Sequence, residues 1–142
     1  MTNKESASES LRGRQLSGAL PLIATVIRAC EDTKALNPVV LDVSKIFSLS
    51  DFFVIVSGKS DRQVQGITNK IVSNLQEKGV KPLSVEGEDK AHWVLIDLGD
   101  VIIHVFYEPE REHYDLESLW HNARKLDLSK EIGPLELPRQ AA

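Results

Sequence analysis

The sequence predicts a single α/β domain on a mixed five-stranded sheet with about three helices, and three observations carry that prediction. Residues 92 to 107, His-Trp-Val-Leu-Ile-Asp-Leu-Gly-Asp-Val-Ile-Ile-His-Val-Phe-Tyr, are two strand-like apolar runs joined by Gly99-Asp100, a pair suited to a tight hairpin with glycine supplying positive φ. Phe52 to Val56 is an unbroken apolar run of strand length, the pattern of a strand covered on both faces. Ser60 followed by Gln63 is a capping-box pattern opening a helix that places Val64, Ile67, Ile71 and Leu75 on one face, and Gly79 stops it.

Taken from the N-terminus, residues 1–18 are rich in Ser and charge and lack an apolar stripe, so they are expected to form a disordered tail ahead of a domain spanning 19–128. Pro21 suits the first turn of a helix in which Leu22, Ile23, Val26, Ile27 and Cys30 follow at helical spacing. Val39 to Val43 reads as the first strand, Phe52 to Val56 as the second, Ser60 to Lys78 as the next helix and Pro82 to Glu86 as the third strand. The hairpin supplies the fourth and fifth strands, and Asp115 can cap a last helix carrying Leu116, Leu119, Trp120 and Ala123. Residues 129–142 contain Gly133, Pro134 and Pro138 and are expected to be irregular. The order is α-β-β-α-β-β-β-α. The second and third strands, joined through a helix, are expected to run parallel with a right-handed crossover, and the hairpin pair antiparallel, which makes the sheet mixed.

A chain of 142 residues suffices for one domain with a core able to fold unaided. Its apolar runs are interrupted well before the ~18 positions a membrane span needs. The single cysteine, Cys30, cannot form an internal disulfide, and Glu5 and Glu9 speak against an acid-poor transit peptide, so a cytoplasmic protein is expected. The net charge is −4 and unevenly distributed. Between Ser84 and Glu117 stand Glu86, Glu88, Asp89, Asp97, Asp100, Glu108, Glu110, Glu112, Asp115 and Glu117, against only Lys90 and Arg111. A hairpin in such a field repels nucleic-acid phosphates and attracts a basic partner, although any one of these acids taken alone reads as a solvated loop residue.

The hairpin register sets Leu98 against Val101, Ile96 against Ile103 and Val94 against Val105, and alternation puts these six on one core-facing side. The opposite side carries Trp93, Leu95, Asp97, Ile102, His104 and Phe106. Rings, aliphatics and titratable groups mixed in this way suit a docking surface open to water.

Catalytic readings are weaker. His104 could pair diagonally with Asp97, which would raise its pKa, but no Ser or Cys nucleophile stands beside it, and a packed or interface histidine is the simpler reading. His113 and His121 lie eight apart with no further ligand at metal spacing, so no metal or other cofactor is expected. Cys30 falls on the apolar stripe of its helix, and Trp120 shares helical spacing with Leu116, both as core residues do. Ser57-Gly58-Lys59-Ser60 before a helix could hold an anion, yet it lacks the P-loop spacing and reads better as a turn with a helix cap. A nucleotidyltransferase would need paired carboxylates on the next strand, where Pro82-Leu83-Ser84-Val85-Glu86 offers one acid at its end.

From about Pro21 to Leu126 the chain resembles the Iojap-like family, the bacterial ribosomal silencing factors. The matching segments are Asp51-Phe52-Phe53-Val54-Ile55-Val56-Ser57-Gly58 with Ser60, Arg62, Gln63 and Val64; Val85-Glu86-Gly87; Trp93-Val94-Leu95-Ile96-Asp97; Gly99-Asp100-Val101-Ile102-Ile103-His104-Val105-Phe106; and Tyr114-Asp115-Leu116-Glu117-Ser118-Leu119-Trp120. The resemblance implies a nucleotidyltransferase-like fold without the catalytic carboxylates, and a non-enzymatic factor. Such a factor binds the large-subunit ribosomal protein L14 on the intersubunit face, blocks subunit joining and lowers translation when nutrients are scarce. It further implies partner contacts at Trp93, Asp97, Leu98, Asp100 and His104. On these residues Trp93, Phe106 and Ile102 are expected to bury apolar area against the partner while Asp97 and Asp100 pair with its basic side chains; the hairpin register turns Leu98 inward. Two alternatives stay open: a nucleotidyl-transferring enzyme using the Ser57–Ser60 turn for phosphate, and a homodimeric adaptor pairing the mixed hairpin face with itself.

Overall fold

The structure, a computed structural model, describes the backbone of residues 4–132 and the side chains of residues 18–132. Helix α1 (Lys4–Asp32) leads into β1 (Leu36–Asp42), β2 (Phe52–Gly58), α2 (Asp61–Glu77), β3 (Ser84–Glu86), β4 (Trp93–Asp97) and β5 (Val101–Tyr107). Two short helices, α3 (Glu108–Tyr114) and α4 (Leu116–Leu119), a two-residue strand β6 (Arg124–Lys125) and a π-helical turn (Leu128–Ile132) follow. The strands form one mixed sheet in the order β3-β4-β5-β2-β1-β6.

The α/β class and the element order through β5 agree with expectation, and the differences are local. The sheet has six strands, because Arg124–Lys125 pairs antiparallel with Leu41 and Asp42, a ladder too short to leave a periodic signal. The second and third strands point the same way but are not neighbours: β2 pairs parallel with β5, and β3 lies beyond β4 as an antiparallel edge. Pro21 lies inside α1 instead of opening it, and the backbone is helical from Lys4 through most of the segment expected to be a disordered tail. A helix tolerates an interior proline when one missing N–H and a shifted ring are offset by packing elsewhere. Here Pro21 faces solvent, and Ile23, Val26 and Cys30 beyond it are fully buried. Residues 1–3 lie outside the described residues. So does 133–142 of the expected irregular tail, while Ile132 is buried against the core.

Helix α2 forms as its cap signals. The Ser60 hydroxyl accepts from the Gln63 N–H at 3.1 Å, and Val64, Ile67, Ile71 and Leu75 are fully buried. With Ile23, Val26 and Ile27 of α1 they cover Val40, Phe52, Val54, Val56, Val94, Ile96, Val101, Ile103 and Val105 of the sheet. Each such side chain contributes about 1.5–3 kcal/mol on burial, so this layer holds the domain together. Cys30 lies in it, and burial, with Glu31 beside it, pushes its thiol pKa up to about 12, which makes it an inert packing group.

The hairpin has the expected register, with Val94 opposite Val105, Ile96 opposite Ile103 and the Leu98 N–H donating to the Val101 carbonyl at 2.9 Å. Gly99 turns it with φ +91, and the Asp97 carboxylate accepts from the Gly99 N–H at 2.8 Å, closing an Asx turn. At the far end of β4, Gly87 has φ +87 and a Cβ there would lie 2.2 Å from the Trp93 carbonyl oxygen, so only glycine lets the β3–β4 connection pass Trp93 this closely.

Candidate docking site on the hairpin

Alternation along β4 and β5 sends Trp93, Leu95, Asp97, Ile102, His104 and Phe106 to the side away from α1 and α2, as the hairpin register requires. That side is only partly open. Phe106 is 0 % exposed and His104 5 %, whereas Trp93, Leu95, Asp97 and Ile102 are half-buried. The chain itself supplies the cover: Phe47 from the β1–β2 loop, with Leu116, Trp120 and Ala123 from and after α4, packs on Val39, Leu41, Val43, Phe53, Ile55 and Phe106. Phe106 therefore belongs to a second core and is not an exposed anchor. What stays accessible is a strip along β4 and the start of β5, ended by Trp93 at one end and by Ile102 and Asp100 at the hairpin tip.

The roof exists because the chain doubles back after β5. Glu108–Tyr114 is a helix where a loop is expected, and its marks are Pro109 in the first turn with Glu108 and Glu110, and Arg111 and His113 in the last turn. Asp115 does not cap a long last helix. It sits in the left-handed region at φ 48, its carboxylate accepts from the Ser118 hydroxyl at 2.6 Å, and α4 ends after four residues. Arg111 fixes this bend, donating to Glu117 at 2.9 Å, the Ser57 hydroxyl at 3.1 Å and the Leu36 carbonyl at 3.3 Å from a side chain only 11 % exposed. Sequence reasoning assigned Arg111 nothing beyond its charge, because its partners are up to 75 positions away.

At the Trp93 end the rings form a stack. Trp93 lies 4.9 Å from Phe106 at 30° and 4.7 Å from Tyr114, which is 48 % exposed. The Trp93 indole N–H donates to His104 Nδ1 at 3.2 Å. An indole nitrogen can only donate, so His104 Nδ1 accepts and the ring proton stands on Nε2. That Nε2 is buried and has no hydrogen-bond partner among the described residues. Burial lowers the His104 pKa from 6.5 to about 4, opposite to the rise expected from pairing with Asp97, whose carboxylate serves the hairpin turn instead. A neutral, buried histidine whose Nδ1 lone pair accepts from the indole is poorly suited to act as a base, but it holds the indole at a fixed angle. Asp100 is exposed at the turn, and Leu98 is half-buried against the helix-side core.

The Ser57–Ser60 turn is closed by the chain's own groups. Its Lys59 N–H donates to the Gln63 side-chain carbonyl at 2.7 Å, Gln63 N–H to Ser60, Val64 N–H to the Ser60 carbonyl, and Arg62 N–H to Asp61. The Gln63 amide also donates to the Thr33 and Lys34 carbonyls at the end of α1, so the Lys59, Arg62, Gln63 and Val64 N–H groups that an anion could use are committed within the chain. Among the described residues no group of three His, Cys, Asp or Glu is arranged to hold a metal ion. No helix there is long and apolar enough to cross a membrane.

The hairpin, its roof and the capped α2 all fall within residues 17–142, which match the model of the family described as "Ribosomal silencing factor during starvation". The chain belongs to the ribosomal silencing factor family. It is 45 % identical over 100 residues to the ribosomal silencing factor RsfS of Bacillus subtilis strain 168, covering 70 % of this chain and 85 % of that one. The chloroplastic protein Iojap of Zea mays is 30 % identical over 124 residues, 85 % of this chain and 50 % of the maize protein. A crystal structure of a protein from Chromobacterium violaceum superposes with a TM-score of 0.69 at 37 % identity, covering 75 % of this chain and 88 % of that chain. This member of the family thus carries the family fold, with a half-open strip along β4.

Proposed function

We propose that the protein docks on the large ribosomal subunit through ribosomal protein L14, with the β4 strip as its contact, and blocks joining of the subunits to repress translation under nutrient limitation. The observation that carries this reading is Trp93, a large ring half-exposed on a rigid strand, oriented by His104 and backed by Phe106, in an acid-rich field. A pre-oriented aromatic anchor beside carboxylates suits a basic protein surface: the ring buries apolar area, and Asp97 and Asp100 steer and pair with Arg or Lys. Trp93, Asp97, Leu98 and Asp100 are contact residues in this reading, with Ile102 as a second apolar contact, and His104 acts through Trp93 as a positioning residue. Inhibition needs no chemistry, since a domain parked on the intersubunit face excludes the other subunit by its bulk. The protein is then a non-enzymatic cytoplasmic factor whose activity resides in residues 19–128, and we assign no role to the tails 1–18 and 129–142.

The test is sedimentation with purified large subunits. Trp93→Ala should keep its fold, because Trp93 is itself half-exposed and Phe106 beneath stays in the cluster of Val39, Leu41, Val43, Phe53 and Ile55, and should lose binding and the block of subunit joining. Truncation of a central aromatic anchor typically costs ~2 kcal/mol or more, a thirtyfold loss. Undiminished sedimentation of the variant would remove the strip as the docking site.

A further inference from the structure

Among the described residues five large apolar side chains stand exposed: Ile46 at 46 %, Leu49 at 77 %, Leu83 at 73 %, Tyr114 at 48 % and Leu119 at 69 %. Single exposed leucines need no explanation, but four of these five lie on the segments that frame the Trp93 strip. Tyr114 closes its one end against the indole. Ile46 and Leu49 lie in the β1–β2 loop, which is tied to the hairpin tip where the Asp51 N–H donates to the Asp100 carbonyl at 2.9 Å. The same loop is tied to the roof by Phe47, whose ring lies 5.4 Å from both Phe53 and Trp120. Leu119 lies on α4 between Leu116 and Trp120, which pack onto the sheet. Between loop and hairpin, Ile102 stands beside Phe53 in the β2–β5 ladder and shares the cluster of Phe47.

We infer that Leu49 and Leu119 extend the docking surface beyond the hairpin, so that the partner is a basic protein laying an apolar patch across the hairpin tip, the β1–β2 loop and α4 together. This rests on the reading that the hairpin docks a protein of the large subunit. Two arguments favour that occupant. A stable protein contact uses about 20–30 residues a side, far more than the hairpin strip offers, so the footprint must spread onto neighbouring elements. The segments that frame the surface carry Asp97, Asp100, Glu110, Glu112 and Asp115 against Lys45 of the β1–β2 loop, a balance that fits a cationic protein and opposes a nucleic-acid backbone. Leu83 lies outside it: two positions on, Val85 stands opposite Ile96 and packs on the helix-side core, so alternation along this extended segment turns Leu83 to that side of the sheet.

The experiment measures affinity for purified large ribosomal subunits of Leu49→Ser, Leu119→Ser and the double variant, beside Trp93→Ala and Leu83→Ser. Each single change is expected to weaken binding severalfold and the double at least tenfold, with melting temperatures unchanged because both side chains are exposed, and Leu83→Ser is expected to bind as the parent does. A double variant that binds like the parent while Trp93→Ala does not would confine docking to the hairpin and overturn this inference alone. Parent-like binding by Trp93→Ala as well would overturn the docking reading itself. If the double variant keeps subunit binding but loses self-association in light scattering, the extension serves a second copy of this chain and the inference fails.

Discussion

The two faces of one sheet follow the same strands yet do different work. On the helix-covered face Val94, Ile96, Val101, Ile103 and Val105 of β4 and β5 are aliphatic and fully buried, and Tyr107 closes the row half-buried at the end of β5. On the other face the same strands carry two aromatic rings, a histidine and a carboxylate, and their cover stops short of β4. On the proposed reading the contrast separates stability from recognition at single-residue resolution. Adjacent residues on one strand point to opposite fates, and substitutions can break the comparison one residue at a time.

The largest effect is expected from Ile96 and Leu95, neighbours on β4. Ile96 is fully buried, so Ile96→Ala should cost about 2–5 kcal/mol by lost transfer energy and cavity formation, read from urea or thermal unfolding. Leu95→Ala, half-buried on the strip, should cost clearly less stability while weakening binding to large subunits. Equal stability losses with no difference in binding would erase the division between the faces.

Second comes the acid response of His104. In the folded state its pKa is about 4 because burial disfavours the charged ring, against 6.5 as its ordinary value. Between these values the unfolded chain binds more protons than the native one, so the contribution is whole above pH 6.5, falls as pH drops through the window and is exhausted near pH 4. The total is about 3 kcal/mol. Unfolding titrations of the parent and His104→Gln at pH 7 and pH 4.5 isolate it, because carboxylate effects are common to both. The parent should lose more stability between the two pH values, and equal losses would show that His104 is not the source.

Much of the fold was legible because its signals are local. The hairpin register followed from Gly99 and strict alternation, and α2 from Ser60, Gln63 and its apolar stripe. The site was legible in which residues share a face, not in how far that face is open. The packed histidine that the sequence favours at His104 is what the structure holds, but its Trp93 partner is not legible, since Asp97 is also within reach by pattern and only the turn geometry at Gly99 commits Asp97 elsewhere. The roof depends on a left-handed Asp115 and on Arg111 reaching Ser57 and Leu36, contacts between segments far apart in sequence that no periodicity reports. The start of the first helix is not legible, because Pro21 has the character of an opening residue, yet an exposed proline inside a helix whose other side is buried is tolerated.

The smallest expected effect sharpens the comparison from the opposite direction. Gly66 is exposed in the middle of α2, its Cβ would meet nothing within 4 Å, and the helix packs on the sheet through Val64, Ile67 and Ile71. A mid-helix glycine costs roughly 1 kcal/mol relative to alanine through backbone entropy alone, so Gly66→Ala should stabilise the domain by about that amount. A domain of this size then gains a few degrees in melting temperature. Because α2 covers the dry face and the docking strip lies on the other, affinity for large subunits should be unchanged. A gain in stability accompanied by weakened binding would mean that the exposed side of α2 also touches the partner, and that docking is not confined to one side of the sheet.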